Sequence, residues 1–230
     1  KKGPNDKLII PLKSPDTFSF DSNNSTQAFT QSIVSDKTFQ NILNQQGGGK
    51  ISASTIEQYL KNIPTQNILN NSYTPDPRTI IISHDTSPTA VTAYLEALAN
   101  LYTKHGEAFT LGDDLTIAQN ALISNNEIEL KKLDRIVNAL DAIAREANSL
   151  SVPENILWFH QREVALLLKT AKEIQILRNV NEDPVGALAV LKTRMETKNE
   201  FSALHNKELG SWLIKNNISL GPVASILFSK

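Results

Sequence analysis

Four histidines, at positions 84, 105, 160 and 205, and two acid pairs, Asp113-Asp114 and Glu182-Asp183, are the residues of this chain whose types and spacing suggest chemistry. His160-Gln-Arg-Glu163 and His205-Asn-Lys-Glu208 both read His-x-x-Glu and fall on neighbouring expected helices. Di-iron bundles place Glu-x-x-His on two helices and one further Glu on each of two others, all pointing inward. Here the order is reversed, which changes where each ligand projects, because helical side chains lean toward the helix N-terminus. The helix expected over 126–149 also offers no carboxylate on its apolar face. A metal-dependent bundle enzyme is therefore the most distant reading, and no metal or cofactor is expected. His160 has Ile156 and Val164 four residues to either side and Trp158 and Phe159 beside it, which places it on a buried stripe. An imidazole there hydrogen-bonds a neighbouring carbonyl or hydroxyl and fixes how two helices meet. His105 and His205 are expected to be exposed.

Both acid pairs stand just before expected helices, where a carboxylate caps free amide groups. Acid and base roles on a glycan would also want an aromatic-lined cleft, and two Trp and four Tyr scattered along the chain do not suggest one. Ser83-His84-Asp85 gathers a hydroxyl, an imidazole and a carboxylate at the end of an apolar run. Consecutive residues of an extended segment point to opposite faces, so Ser83 and His84 do not converge on one substrate atom. Ser87 with Pro88 after it reads instead as a helix start. Gly47-Gly48-Gly49-Lys50 lacks the Gly and the Ser or Thr of a phosphate-binding loop, since Asn44 and Ile51 occupy those positions. No GxSxG, HExxH or GxGxxG pattern is present. No catalytic, cofactor-binding or metal-ligating residue is assigned. The residues singled out, His160, Trp158, Pro153, Ser87, Pro88, Asp183 and Pro184, are given structural roles.

The elements that position these residues follow from composition and period. Of 230 residues 40% are apolar and only 6% aromatic, which favours packed helices built from Leu, Ile, Val and Ala. Lys plus Arg number 23 against 24 acidic residues, so no net field attracts nucleic acid or draws the chain to an acidic membrane. The absence of Cys excludes disulfides and thiolate chemistry without fixing a compartment. No run approaches the roughly 20 apolar residues of a membrane span. The start at Lys1-Lys2-Gly3-Pro4, without Met, suggests a chain processed or trimmed from something longer.

Residues 1–77 are expected to form a polar N-terminal part, irregular to about residue 24. Short helices should follow, carrying Phe29, Ile33, Phe39, Ile42 and Leu43 and then Ser54 to Leu60, before a linker with Pro75 and Pro77. Residues 78–230 are expected to form an antiparallel helical bundle. Thr79 to Ser83 reads as a short strand, and a helix then runs from about Thr89 to Lys104. Asp113 or Asp114 should cap a short helix through Leu122. Leu133, Ile136, Val137, Leu140, Ile143, Ala144 and Ala147, at steps of three and four, predict an amphipathic helix of about six turns. Pro153 is placed as the first residue of the next helix, to about Asn179, and Asp183-Pro184 as the cap and first residue of the last long one. That helix should reach about Asn216 with a bend near Lys198, because Phe201, Leu204, Leu209 and Trp212 are out of phase with Leu188, Leu191 and Met195. Gly221-Pro222 interrupts an apolar tail.

Three stretches, TSPTAVTAYLEAL, LSVPENILWFHQREVALLL and EDPVGALAVL, resemble landmarks of a loosely defined group of uncharacterised, membrane-anchored helical proteins of candidate-phyla bacteria. The resemblance spans roughly Thr86 to Asn216. It implies an N-terminal anchor absent from this chain, an extracytoplasmic helical domain and no assigned activity. The expected function is that of a non-enzymatic structural or protein-interaction module of the bacterial envelope, with protein partners. The alternative is a sensor-type domain that holds a small ligand between helices.

Overall fold

The computed structural model describes residues 80–124 and 126–228. The lead-in, the N-terminal helices, the proline linker and the division at residue 77 lie outside the described residues. Those described are mainly helical, and the fold is all-α with one small two-stranded sheet.

Strand β1 (Ile81–Ser83) delivers the chain to helix α1 (Pro88–His105). The helix starts where Ser87, in an extended conformation, accepts a hydrogen bond from the Ala90 amide at 3.2 Å. Pro88 stands at the first position, where a missing N–H costs nothing. Asp85 completes the turn by accepting from the Ser87 amide at 3.0 Å. A 3₁₀ turn (Gly106–Thr110) and Gly112, at φ 127°, then lead to α2 (Asp114–Ser124). Asp113 begins that helix by accepting from the Thr116 amide at 2.9 Å. Helix α3 (Glu127–Ala147) opens on an Asn126 cap and buries Leu130, Leu133, Ile136, Leu140, Ile143 and Ala147 along one stripe, the face its period dictates.

Pro153 is not the first residue of a helix. It ends strand β2 (Ser151–Pro153), which pairs in parallel with β1, Ile82 opposite Val152 and Ser83 opposite Pro153. At φ −57° and ψ 132° its backbone is extended, and at the end of a strand its missing N–H breaks no ladder. A 3₁₀ turn (Glu154–Ile156) intervenes before α4 (Leu157–Arg178). Asn155 donates to the Thr86 carbonyl at 3.1 Å, so the entries to α1 and α4 are tied together.

Helix α5 (Pro184–Ser202) begins on Asp183, which accepts from the Gly186 amide at 2.8 Å. A β-carbon at position 186 would stand 2.3 Å from the Asp183 carboxylate. Gly186→Ala should therefore dislodge the cap and lower stability by about 1 kcal/mol, read as a fall in the urea midpoint; an unchanged midpoint would mean the cap contributes nothing.

From Ser202 the helix does not bend at Lys198. It continues through a π-helical segment (Ala203–Leu209) into α6 (Gly210–Lys215). The wider π turn takes up the change of phase that the apolar residues carry, so that Leu204, Leu209 and Leu213 stay buried in line with Leu188 and Leu191. After a turn at Asn217 (φ 52°), α7 (Pro222–Phe228) packs back on α1. One continuous apolar core joins all these helices, with Phe159, Phe228, Leu95 and Leu98 among its fully enclosed side chains.

Candidate functional site

Tyr94 and Tyr102 are eight residues apart on α1, about two turns, and so share a face. His160 and Glu163 share a face of α4 three residues apart. The Tyr94 hydroxyl lies 3.0 Å from Nδ1 of His160, a hydrogen bond whose direction follows the imidazole tautomer. Tyr102 donates its hydroxyl proton to Oε1 of Glu163, and Nε2 of His205, from the π segment, lies 2.7 Å from Oε2. His160 and Glu163 are fully buried and His205 is 6% exposed. His205 is therefore an interior residue, contrary to its expected exposure, because the π turn rotates it onto the α4 side of the helix. Its ring sits 5.0 Å from Phe228, 5.7 Å from Phe201 and 6.0 Å from Phe159.

Only the first His-x-x-Glu pair thus enters this cluster whole. Glu208 of the second is exposed and pairs with Arg162. Burial, and then the charge of Glu163, raises both tyrosine hydroxyls well above their ordinary range, so they remain neutral donors. Burial depresses His160 to about 4, with Glu163 opposing, so the imidazole is neutral. Its Nε2 has no hydrogen-bond partner. Trp158, beside it, turns outward and packs edge-on against Trp212 at 6.4 Å.

A second polar cluster joins α2, α4 and α5. Asp114, 3% exposed, accepts from Nε of Arg194 at 2.6 Å and from Lys198 at 3.2 Å. Arg194 Nη1 lies 3.8 Å from Glu173, and Glu173 accepts from the Thr197 hydroxyl at 2.7 Å. Capping explains Asp113, but Asp114 is an interior ion-pair partner, which its place in an acid pair before a helix concealed. Burial alone would raise Asp114; Arg194 and Lys198 overcome that and hold it well below the usual carboxylate range. Burial, followed by the Asp114 charge, pushes Asp113 up to about 6.

These shifts act on stability in opposite senses over one pH window. His160 folds with a pKa near 4 against an ordinary 6.5. The unfolded chain therefore binds the extra proton, and stability falls as pH drops from 6.5 toward 4, by roughly 3 kcal/mol in all. Asp113 is raised, so the folded chain binds the extra proton and stability rises as pH drops through 6. Asp113→Asn keeps a capping oxygen and removes the second effect. The variant's melting temperature should fall more steeply than the parent's between pH 6.5 and 4.5. Parallel profiles would contradict the assignment.

The Ser83-His84-Asp85 triplet assembles no pocket. The His84 side chain is 91% exposed and reaches only Glu154, at 3.4 Å, while Asp85 serves the turn before α1. His105 is partly buried and, with Lys104, ties the end of α1 to Glu146 of α3 at 3.0 Å and 2.8 Å. An open polar hollow of about 510 Å³ lies between α3 and α4, lined by Glu127, Asp134, Lys172 and Arg178 among others. Arg178 is already committed there to Asp134 at 3.0 Å and to Glu127. Among the described residues no group of three or more His, Asp or Glu side chains is placed to hold a metal ion, and no helix is long and apolar enough to cross a membrane. No protein family, curated protein or solved structure matches this chain.

Proposed function

We propose that this chain is a non-enzymatic structural or protein-interaction module of a bacterial envelope protein, held outside the cytoplasm and binding protein partners. One observation carries the reading. The buried side chains with chemistry in them, His160, Glu163, His205, Asp114 and Arg194, are engaged with residues of neighbouring helices, while isoleucines stand on the outside. Ile81 is 53% exposed, Ile128 70% and Ile214 80%. Polar contacts between helices fix one arrangement of the body, and exposed apolar side chains supply contact area to a partner. The extracytoplasmic placement rests on the resemblance of three helix starts.

The test is site-directed photo-crosslinking in cells that express the natural full-length protein, with the reactive residue at Ile81, Ile128 or Ile214 and a control at Glu154. The reading expects one defined protein adduct from at least one isoleucine site and none from the control. Identical patterns at all positions would overturn it.

The polar hollow beside Arg178 favours a second reading, a ligand-binding domain, since its volume falls within the range of small-molecule sites. A ligand at about a hundred times its dissociation constant should add nearly 3 kcal/mol of apparent stability. A metabolite thermal-shift screen without any such response removes this alternative.

A further inference from the structure

Helix α7 closes over the Tyr102–Glu163–His205 cluster, and its attachment is narrow. At its start, Glu96 of α1 accepts hydrogen bonds from the Val223 amide at 3.0 Å and the Ala224 amide at 2.9 Å. One turn earlier on α1, Thr92 donates to the Ser219 carbonyl at 2.7 Å. Gly221 passes so close that a β-carbon there would stand 2.4 Å from the Glu96 carboxylate. At its far end Phe228, 2% exposed, sits edge-on to both His205 and Phe159, at 5.0 and 5.7 Å.

The helix itself has little reason to persist when undocked. It has seven residues, Pro-Val-Ala-Ser-Ile-Leu-Phe, and none is charged. Isolated helices shorter than about 12 residues are marginal in water, so α7 is helical because it is docked. The turn before it places Asn217 in the left-handed region, which Asn tolerates as a helix end. Under Phe228 lie a carboxylate and two imidazoles, and the Nε2 atom of one imidazole, that of His160, has no hydrogen-bond partner.

We propose that α7 is a releasable strap: it opens as a unit while the rest of the body stays folded, and its release exposes His205 and Glu163 to solvent. Glu96 is the catch, because it holds the two leading amides of the strap from the neighbouring helix. Local opening of this kind is common for elements that dock late and through few contacts.

Hydrogen exchange on the whole chain, resolved by peptide mass spectrometry, tests this alongside labelling by diethyl pyrocarbonate. Glu96→Ala removes the catch, and Gly221→Ala displaces it from the other side. In both variants exchange in the peptide covering 222–228 should rise roughly tenfold and His205 should become labelled, while α3 and α4 keep their protection. If α7 exchanges only together with α3 and α4, or at the parental rate in both variants, the strap does not exist. If it exchanges faster with His205 still unlabelled, α7 does not govern access to the cluster.

Discussion

Glu163→Ala should lower the stability of this protein by about 4 kcal/mol, which for a chain of this length moves the melting temperature by on the order of 10 °C. The size follows from what the substitution leaves behind. Glu163 is fully buried and serves Tyr102 on one oxygen and His205 on the other. Without it a phenol and an imidazole N–H remain inside the protein with no acceptor, and each unsatisfied buried donor carries its own desolvation cost. Replacing all three residues together, as Tyr102→Phe, Glu163→Leu and His205→Leu, should recover most of the loss, because apolar groups of similar volume need no partner. Urea unfolding of the single and triple variants makes the comparison. If the single variant is harmless, the cluster does not tie α1, α4 and the π segment together.

Asp114→Ala is the second large expected effect, again about 4 kcal/mol at neutral pH. Arg194 is only 6% exposed, and Asp114 is its close partner at 2.6 Å; Glu173 lies farther off at 3.8 Å. The variant strands a guanidinium in the interior, and Lys198 loses a contact as well. The pH dependence distinguishes this from simple loss of packing. The folded pKa of Asp114 is depressed, so its stabilisation is complete above the ordinary carboxylate value and is lost as pH falls below it. The difference between parent and variant should therefore shrink between pH 7 and pH 3 in chemical denaturation at fixed temperature. A difference that does not change with pH would assign the loss to packing alone. Arg194→Met in the same background should restore part of the stability, since an uncharged side chain of similar length needs no counterion.

Local signals in the sequence are strong where one residue type has one physical use. Ser87-Pro88 and Asp183-Pro184 begin helices because a short acceptor followed by a residue without an N–H suits that position, and both do so here. The stripe on α3 is readable because its apolar residues recur at helical steps for five turns or more. The small sheet was half visible. Its β1 strand is a run of isoleucines, but β2 has three residues and pairs across about seventy positions of chain, a contact that local pattern does not contain.

The buried charges were hidden for a related reason. Asp114 and Asp113 look alike beside a helix start, and only the approach of α5 with Arg194 separates them. His205 has polar neighbours in sequence, Asn206, Lys207 and Glu208, which an α-helical reading places with it on an outer face. The phase change between Met195 and Leu204 did signal an irregularity in that helix. Whether the irregularity is a bend or a π segment depends on which face α4 and α7 leave open, and that is a property of the assembled body.

The π segment also makes this part of the protein intolerant of changes in length. Deleting one residue between 203 and 209 would let the chain close into an ordinary α-helix, at no cost to hydrogen bonding. Everything after it would then turn by about 100° and shift by about 1.5 Å. Leu213 would leave the core, and α7 would be aimed away from Glu96 and Phe159. Substitutions at exposed Lys207 or Glu208 leave that count intact, whereas an insertion or deletion anywhere in the segment resets the geometry of the last twenty residues.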